Sequence, residues 1–189
     1  MRNMKKIALD FDSVLSDTMV AWTKKYNAKH NTEFTKDHIE KWSFWKQKEF
    51  GFERSYALVF FRESWSDWKN LPATEPDLDK RIIELSEFGQ VDIVTNIEKD
   101  YFGNVKNWID EQNISVNDII FSECKNKIKD FDYNLYIDDD PDLAKDAHSE
   151  NKNCFIYHQK WNSHIENSKT VLRIYSLTDA ITEISKNGL

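Results

Sequence analysis

The chain has 189 residues, enough for one well-buried domain or one domain carrying a modest insert. Seven Trp and twelve Phe argue against a disordered chain, which would lack such aromatics. A formal charge of -7 argues against a protein that coats a nucleic-acid polymer, because that task needs a basic face to displace counterions.

Cys124 and Cys154 are too few for a disulfide framework and form no Cys-x-x-Cys pair, so both read as reduced and structural. No apolar run approaches the ~20 residues of a membrane-spanning helix. The early lysines are not followed by the apolar stretch of a signal peptide. The expectation is a soluble, cytoplasmic protein with no membrane partner.

In chain order, residues 5–12 read as a buried strand running into Asp10-Phe11-Asp12. Residues 17–31 read as a helix with Met19, Val20, Trp22, Tyr26 and Ala28 roughly on one face. Thr35 with Asp37-His38 looks like a helix start, Thr35 being its N-cap. Residues 42–71 are dense in aromatics, and Pro72 and Pro76 punctuate the exit. Residues 17–75 are therefore expected to form a small, mainly helical insert, leaving 1–16 and 76–189 as the core. The spacing then predicts a helix over 77–88 with Leu78, Ile82, Ile83 and Leu85 apolar, ended by Gly89, and a strand over 91–95. A helix over 100–112 follows, then strands at 118–121 and 134–137, the latter ending in Asp138-Asp139-Asp140. Pro141 opens a helix to about His148. Strands at 153–157 and 171–175 and a helix over 177–185 complete the pattern.

Strands alternating with helices imply a parallel sheet covered on both faces. In such sheets the ligand lies at the carboxyl ends of the strands. Asp10, Asp12, Thr95, Asp138 and Asp139 all fall there. Asp10 and Asp138 can ligate a hard cation through oxygen, and Mg²⁺ suits such a site. Thr95 offers a hydroxyl and an N–H to a phosphate oxygen, and a lysine near Lys127 offers a point charge. A carboxylate beside a metal-bound phosphate can act as a nucleophile, leaving Asp12 to protonate the leaving oxygen and then activate water.

These residues resemble the haloacid dehalogenase (HAD) superfamily of phosphohydrolases. The resemblance rests on Asp10-Phe11-Asp12-Ser13-Val14-Leu15-Ser16-Asp17, Ile93-Val94-Thr95-Asn96 and Leu135-Tyr136-Ile137-Asp138-Asp139-Asp140-Pro141. It covers nearly the whole chain and is closest to the 5'(3')-deoxyribonucleotidase group, to which Tyr26-Asn27, Trp42 and Trp161-Asn162 are also similar. The resemblance implies a Rossmann-like three-layer α/β/α fold with a helical cap inserted after the first strand. It implies a Mg²⁺-dependent phosphomonoesterase working through an aspartyl-phosphate, with a nucleoside monophosphate as substrate. Asp10 matches the nucleophile and Asp12 the general acid/base, whose backbone carbonyl also faces the metal. Thr95 and Asn96 match the phosphate-binding motif, and Asp138 and Asp139 the metal-binding pair. For the motif lysine, Lys125, Lys127 and Lys129 compete, and Lys127 lies closest to the usual spacing. The family usually has Gly where this chain has Ser13.

Plainer roles stand beside these. Thr95 alone would read as a helix cap, and Asp140 and Asp142 flank Pro141 as helix-start residues. The five histidines lack zinc-ligand spacing. Most insert aromatics should fill its own core. Trp42, Phe44 and Trp45 are the best placed to cover a nucleobase or another flat group. A sugar phosphate remains a second substrate class. A phosphoacceptor module of the receiver type would place its Thr after the phosphorylated Asp and its Lys last, whereas here Thr95 and the lysines precede Asp138. A site that binds ligand without turnover is a third possibility, and Ser13 is the one hint towards it. Oligomeric state is not legible.

Overall fold

The structure, a computed structural model, describes residues 5–122 and 126–187. Glu123, Cys124 and Lys125 lie outside them, so the readings of Cys124 as structural and of Lys125 as a motif lysine fall outside the described residues.

Six parallel strands form one sheet in the order β3-β2-β1-β4-β5-β6. They are β1 (Lys6–Leu9), β2 (Gln90–Thr95), β3 (Asp118–Phe121), β4 (Leu135–Asp138), β5 (Asn153–Tyr157) and β6 (Val171–Ile174). The helices are α1 (Thr18–His30), α2 (Arg54–Ser66), α3 (Leu78–Ser86), α4 (Phe102–Glu111), α5 (Lys127–Asp130), α6 (Pro141–Ser149) and α7 (Leu177–Asn187). The central strands are apolar on both faces because helices cover both. Ile7, Leu9, Ile93, Ile137 and Phe155 pack against Leu78, Ile82, Trp108 and Leu177 from α3, α4 and α7. Ala8, Val94, Tyr136, Cys154 and Ile156 pack against Ile128, Leu143 and Ala147 from α5 and α6. This is the three-layer α/β/α sheet that the alternation of elements predicts.

The strand order reverses between β1 and β4, which both run parallel and pair directly. Loops leaving these two strands diverge to opposite sides and open a crevice at their carboxyl ends, where ligands of such sheets bind. Asp10 follows β1, and Asp138 closes β4.

Between β1 and α3 the chain leaves the sheet. α1 and α2 meet around Trp22, which is fully buried, stacks on Tyr26 and meets Phe44 edge-on. The Trp22 indole N–H donates to the Ala57 carbonyl at 2.9 Å, so burial leaves no unpaired donor. Met19, Ile39, Phe50, Phe60 and Trp161 complete this separate apolar cluster. The exit and return of this segment lie side by side: the Asp17 N–H donates to the Pro72 carbonyl at 2.6 Å, and the Thr74 N–H to the Leu15 carbonyl at 2.9 Å.

Some local expectations shift. Val20 and Ala28 face solvent, and the buried face of α1 is instead Met19, Ala21, Trp22, Thr23 and Tyr26. Ile83 is 58% exposed because α3 presents Leu78, Ile82 and Leu85 to the sheet. Thr35 caps a single 3₁₀ turn (Lys36–His38) rather than a longer helix.

Candidate active site

The loop 11–16 is a tight turn. The Leu15 and Ser16 N–H groups both donate to the Phe11 carbonyl, and the Ser13 N–H donates to the Ser16 carbonyl at 2.7 Å. Closing the turn puts Ser13 at φ 63°, a left-handed conformation that glycine adopts without strain. Its carbonyl is held by the Gln159 side-chain amide at 2.8 Å, so the segment after β5 braces the loop after β1.

Asp10 is buried, and its carboxylate accepts from the Lys127 ammonium at 2.6 Å. The same ammonium donates to Asp138 at 2.8 Å. Lys127 stands first in the four-residue α5, too short for a helical pattern to show in sequence. Lys129 is exposed and lies 3.6 Å from Glu150, away from these carboxylates. Oxygens of Asp10, Asp138 and Asp139 lie within 4.8 Å of one another. Burial pushes the Asp10 carboxyl up to about 8, with Asp138 and Asp12 adding to the rise and Lys127 opposing it. Burial also pushes Asp139 well above the carboxylate range, reinforced by Asp138 and Asp10. Burial alone would lower Lys127, but the two carboxylates outweigh it and hold the ammonium charged. Ionised together, three buried carboxyl groups would carry more charge than one ammonium offsets, and that excess is what raises Asp10 and Asp139 beyond burial alone. The donors are all oxygen, so the chemistry of the set fits a hard divalent cation.

Asp12 sits apart from that cluster in its hydrogen bonding. Its carboxylate accepts from the Thr18 hydroxyl and from the Trp65 indole N–H, the latter at 3.1 Å. The Thr18 hydroxyl is in turn paired with Ser16 at 2.8 Å. Burial raises the Asp12 carboxyl, against these hydrogen bonds. Asp139 accepts from the Trp161 indole N–H at 2.9 Å, and its carbonyl accepts from the Asn162 amide. Asp140 accepts from the Asp142 N–H at 2.8 Å, the helix-cap role expected of it.

These groups share one cavity of about 470 Å³ between the sheet edge and α1–α2. Thr95 and Asn96, after β2, line it beside Asp10, Asp12 and Lys127. Trp42, Phe44 and Trp45 line it as well. Phe44 is also nearly fully buried in the Trp22 cluster, so it serves packing as well as lining. Sequence reasoning did not find Thr18, Trp65, Lys41, Arg54 or Gln159. Each reaches the site through tertiary placement, and those that lie near a quoted stretch, Thr18, Lys41 and Gln159, carry no sign in sequence that they face it.

The sequence profile of the family described as 5' nucleotidase, deoxy (Pyrimidine), cytosolic type C matches residues 3–186. Comparison with curated proteins finds no match. Among solved structures, a haloacid dehalogenase-like family protein from Streptococcus pneumoniae, SP0104, superposes with TM-score 0.64 at 13% identity, over 97% of this chain and 100% of that one. The HAD-hydrolase YfnB from Bacillus subtilis, in a magnesium-bound form, gives 0.63 at 13% identity over 97% and 99%. A haloacid dehalogenase-like family hydrolase from Xanthomonas campestris gives 0.63 at 8% identity over 97% and 95%. At such identities the likeness is one of fold. The profile carries the family: the chain belongs to the cytosolic type C 5' nucleotidases, phosphoric monoester hydrolases built on the haloacid dehalogenase fold.

Proposed function

We propose that the protein is a Mg²⁺-dependent 5'-nucleotidase acting on nucleoside or deoxynucleoside monophosphates through an aspartyl-phosphate on Asp10. The observation that carries this reading is the Lys127 ammonium between Asp10 and Asp138, at 2.6 and 2.8 Å, in a cavity that Trp42, Phe44 and Trp45 also line. Residues 17–75 act as a cap over a core of residues 1–16 and 76–189, and the paired crossings at 15–17 and 72–74 support that division.

An Asp10 oxygen attacks phosphorus, and the bond from phosphorus to the leaving oxygen breaks. Asp12 gives a proton to that oxygen as the nucleoside departs, and burial, which raises its carboxyl, acts in the direction a general acid needs. Asp12, now ionised, takes a proton from water; the hydroxyl attacks phosphorus and releases Asp10 and inorganic phosphate. Lys127 opposes the rise of the Asp10 carboxyl and binds phosphoryl oxygens, while Thr95 and Asn96 orient the phosphate with neutral donors. Mg²⁺ held by Asp10, Asp138, Asp139 and the Asp12 carbonyl would supply the positive charge that offsets carboxylates and phosphate. Trp42, Phe44 and Trp45 offer apolar faces that favour a flat nucleobase over a bare sugar phosphate.

Phosphate release from a panel of nucleotide and sugar monophosphates, with and without Mg²⁺, tests this. The expected result is release that needs Mg²⁺, is fastest on nucleotides, and falls at least ~10³-fold in Asp10→Asn, the scale of losing a nucleophile. Equal release by wild type and Asp10→Asn would overturn the nucleophile assignment.

A further inference from the structure

The charged side chains that line the cavity are held by protein partners, with two exceptions. Glu98 receives both guanidinium arms of Arg62 at 2.8 Å, Asp142 pairs with Lys145, and Asp146 accepts from Asn126. Lys41 and Arg54 line the same cavity with no carboxylate at ion-pair distance among the described residues. Both are exposed, and both lie on the α1–α2 side, remote in sequence and element from Lys127. Neither sits on a loose segment. The Lys41 and Glu40 N–H groups are pinned by the side-chain oxygen of Gln47, a buried residue, and Arg54 begins α2 with its guanidinium over the Trp45 ring at 5.8 Å. Trp42, next to Lys41 in sequence, lines the same cavity.

A substrate whose phosphate sits over Asp10 and whose flat group meets Trp42 and Trp45 therefore ends beside two cations that no carboxylate among the described residues neutralises. We propose that Lys41 and Arg54 form a subsite for a second anionic group, and that the preferred substrate is a nucleotide carrying a negative charge remote from the phosphate that is cleaved. This rests on the nucleotidase reading for the orientation of the ligand. The second anion is a phosphate on the sugar or a carboxylate on the base. Either makes charge-assisted hydrogen bonds with a guanidinium and an ammonium.

The test is equilibrium binding, which needs no turnover. Asp10→Asn protein, alone and with Lys41→Gln/Arg54→Gln added, is titrated by calorimetry with uridine 5'-monophosphate, uridine 3',5'-bisphosphate and a ring-carboxylated uridine 5'-monophosphate. With the cations present, one doubly anionic ligand should bind about tenfold tighter than the monophosphate, the scale of two exposed charge-assisted contacts. That preference should shrink in ~0.5 M salt, as exposed charges are screened. The glutamine pair should bring the ratio near one. Which ligand shows the preference tells sugar phosphate from base carboxylate. Equal affinities for all three ligands, or a preference that survives the glutamine pair, would overturn the subsite. Failure of the nucleotidase reading shows separately, as wild type that releases no phosphate from any of the three.

Discussion

Two residues carry costs that experiment can read. In metal-free protein Asp10 is pushed from the ordinary 3.8 to about 8, chiefly by burial. The folded state then holds a proton that the unfolded chain has lost. Its contribution to stability is full below about pH 4 and is lost as pH rises through about 8. In EDTA the thermal midpoint of wild type should therefore fall relative to that of Asp10→Asn between pH 5 and 8.5. Added Mg²⁺ should raise the wild-type midpoint more at pH 8 than at pH 5. A wild-type midpoint that tracks Asp10→Asn across this range would contradict the account. Ser13 is the other case. Its left-handed backbone costs an L-residue about 1–2 kcal/mol, partly offset on substitution by the greater freedom of glycine in the unfolded chain. Ser13→Gly should raise the midpoint by about 1–4 °C. A lower midpoint would mean that the side chain contributes packing or hydrogen bonding that outweighs the strain.

At the scale of elements, the packed sheet and helices explain what sequence could and could not tell. Strands were legible because a strand buried on both faces reads as a continuous apolar run, as in Ile93-Val94 and Phe155-Ile156. Asp10, Thr95 and Asp138 stood out because each closes such a run. The face of α1 was misjudged at Val20 and Ala28 because its apolar residues are spread around the helix. α5 left no trace, so only the spacing implied by the family resemblance favoured Lys127 over Lys129, whose different surroundings are tertiary facts. The Asp12 contacts from Thr18 and Trp65 depend on how the α1–α2 unit docks, which no local pattern encodes. One glycine was legible as a helix stop for a reason that turns out to be larger. A Cβ on Gly89 would lie 2.5 Å from the Lys5 carbonyl oxygen and 2.9 Å from its carbon, where the Gln90 N–H already bonds that oxygen at 2.8 Å. Gly89→Ala should push β2 from β1 and cost about 1–3 kcal/mol. Thermal unfolding should show a fall of roughly 3–10 °C, and an unchanged midpoint would show that the strands can part freely.

For the whole molecule, cohesion concentrates where distant segments meet. Glu75 accepts from the Leu177 N–H and the Tyr157 hydroxyl, and Gln159 holds Ser13, so the return from the insert and the last third of the chain lock the loop after β1. Amide exchange should accordingly be slowest in β1 and β4, which have strand neighbours on both sides and helices on both faces, and faster across residues 48–53. Uniform protection across both regions would argue against this distribution.

The central place of β1 has a consequence for biosynthesis. Its two neighbours are residues 90–95 and 135–138, so a growing chain displays β1 with both edges bare until β2 is made and with one edge bare until β4 follows. The aromatic segment emerging meanwhile closes mostly on itself, through contacts such as Trp22 with Ala57. A ribosome would thus release an early helical knot trailing an unpaired strand. The sites of chaperone engagement on the nascent chain should centre on residues 6–15 until β4 has left the exit tunnel.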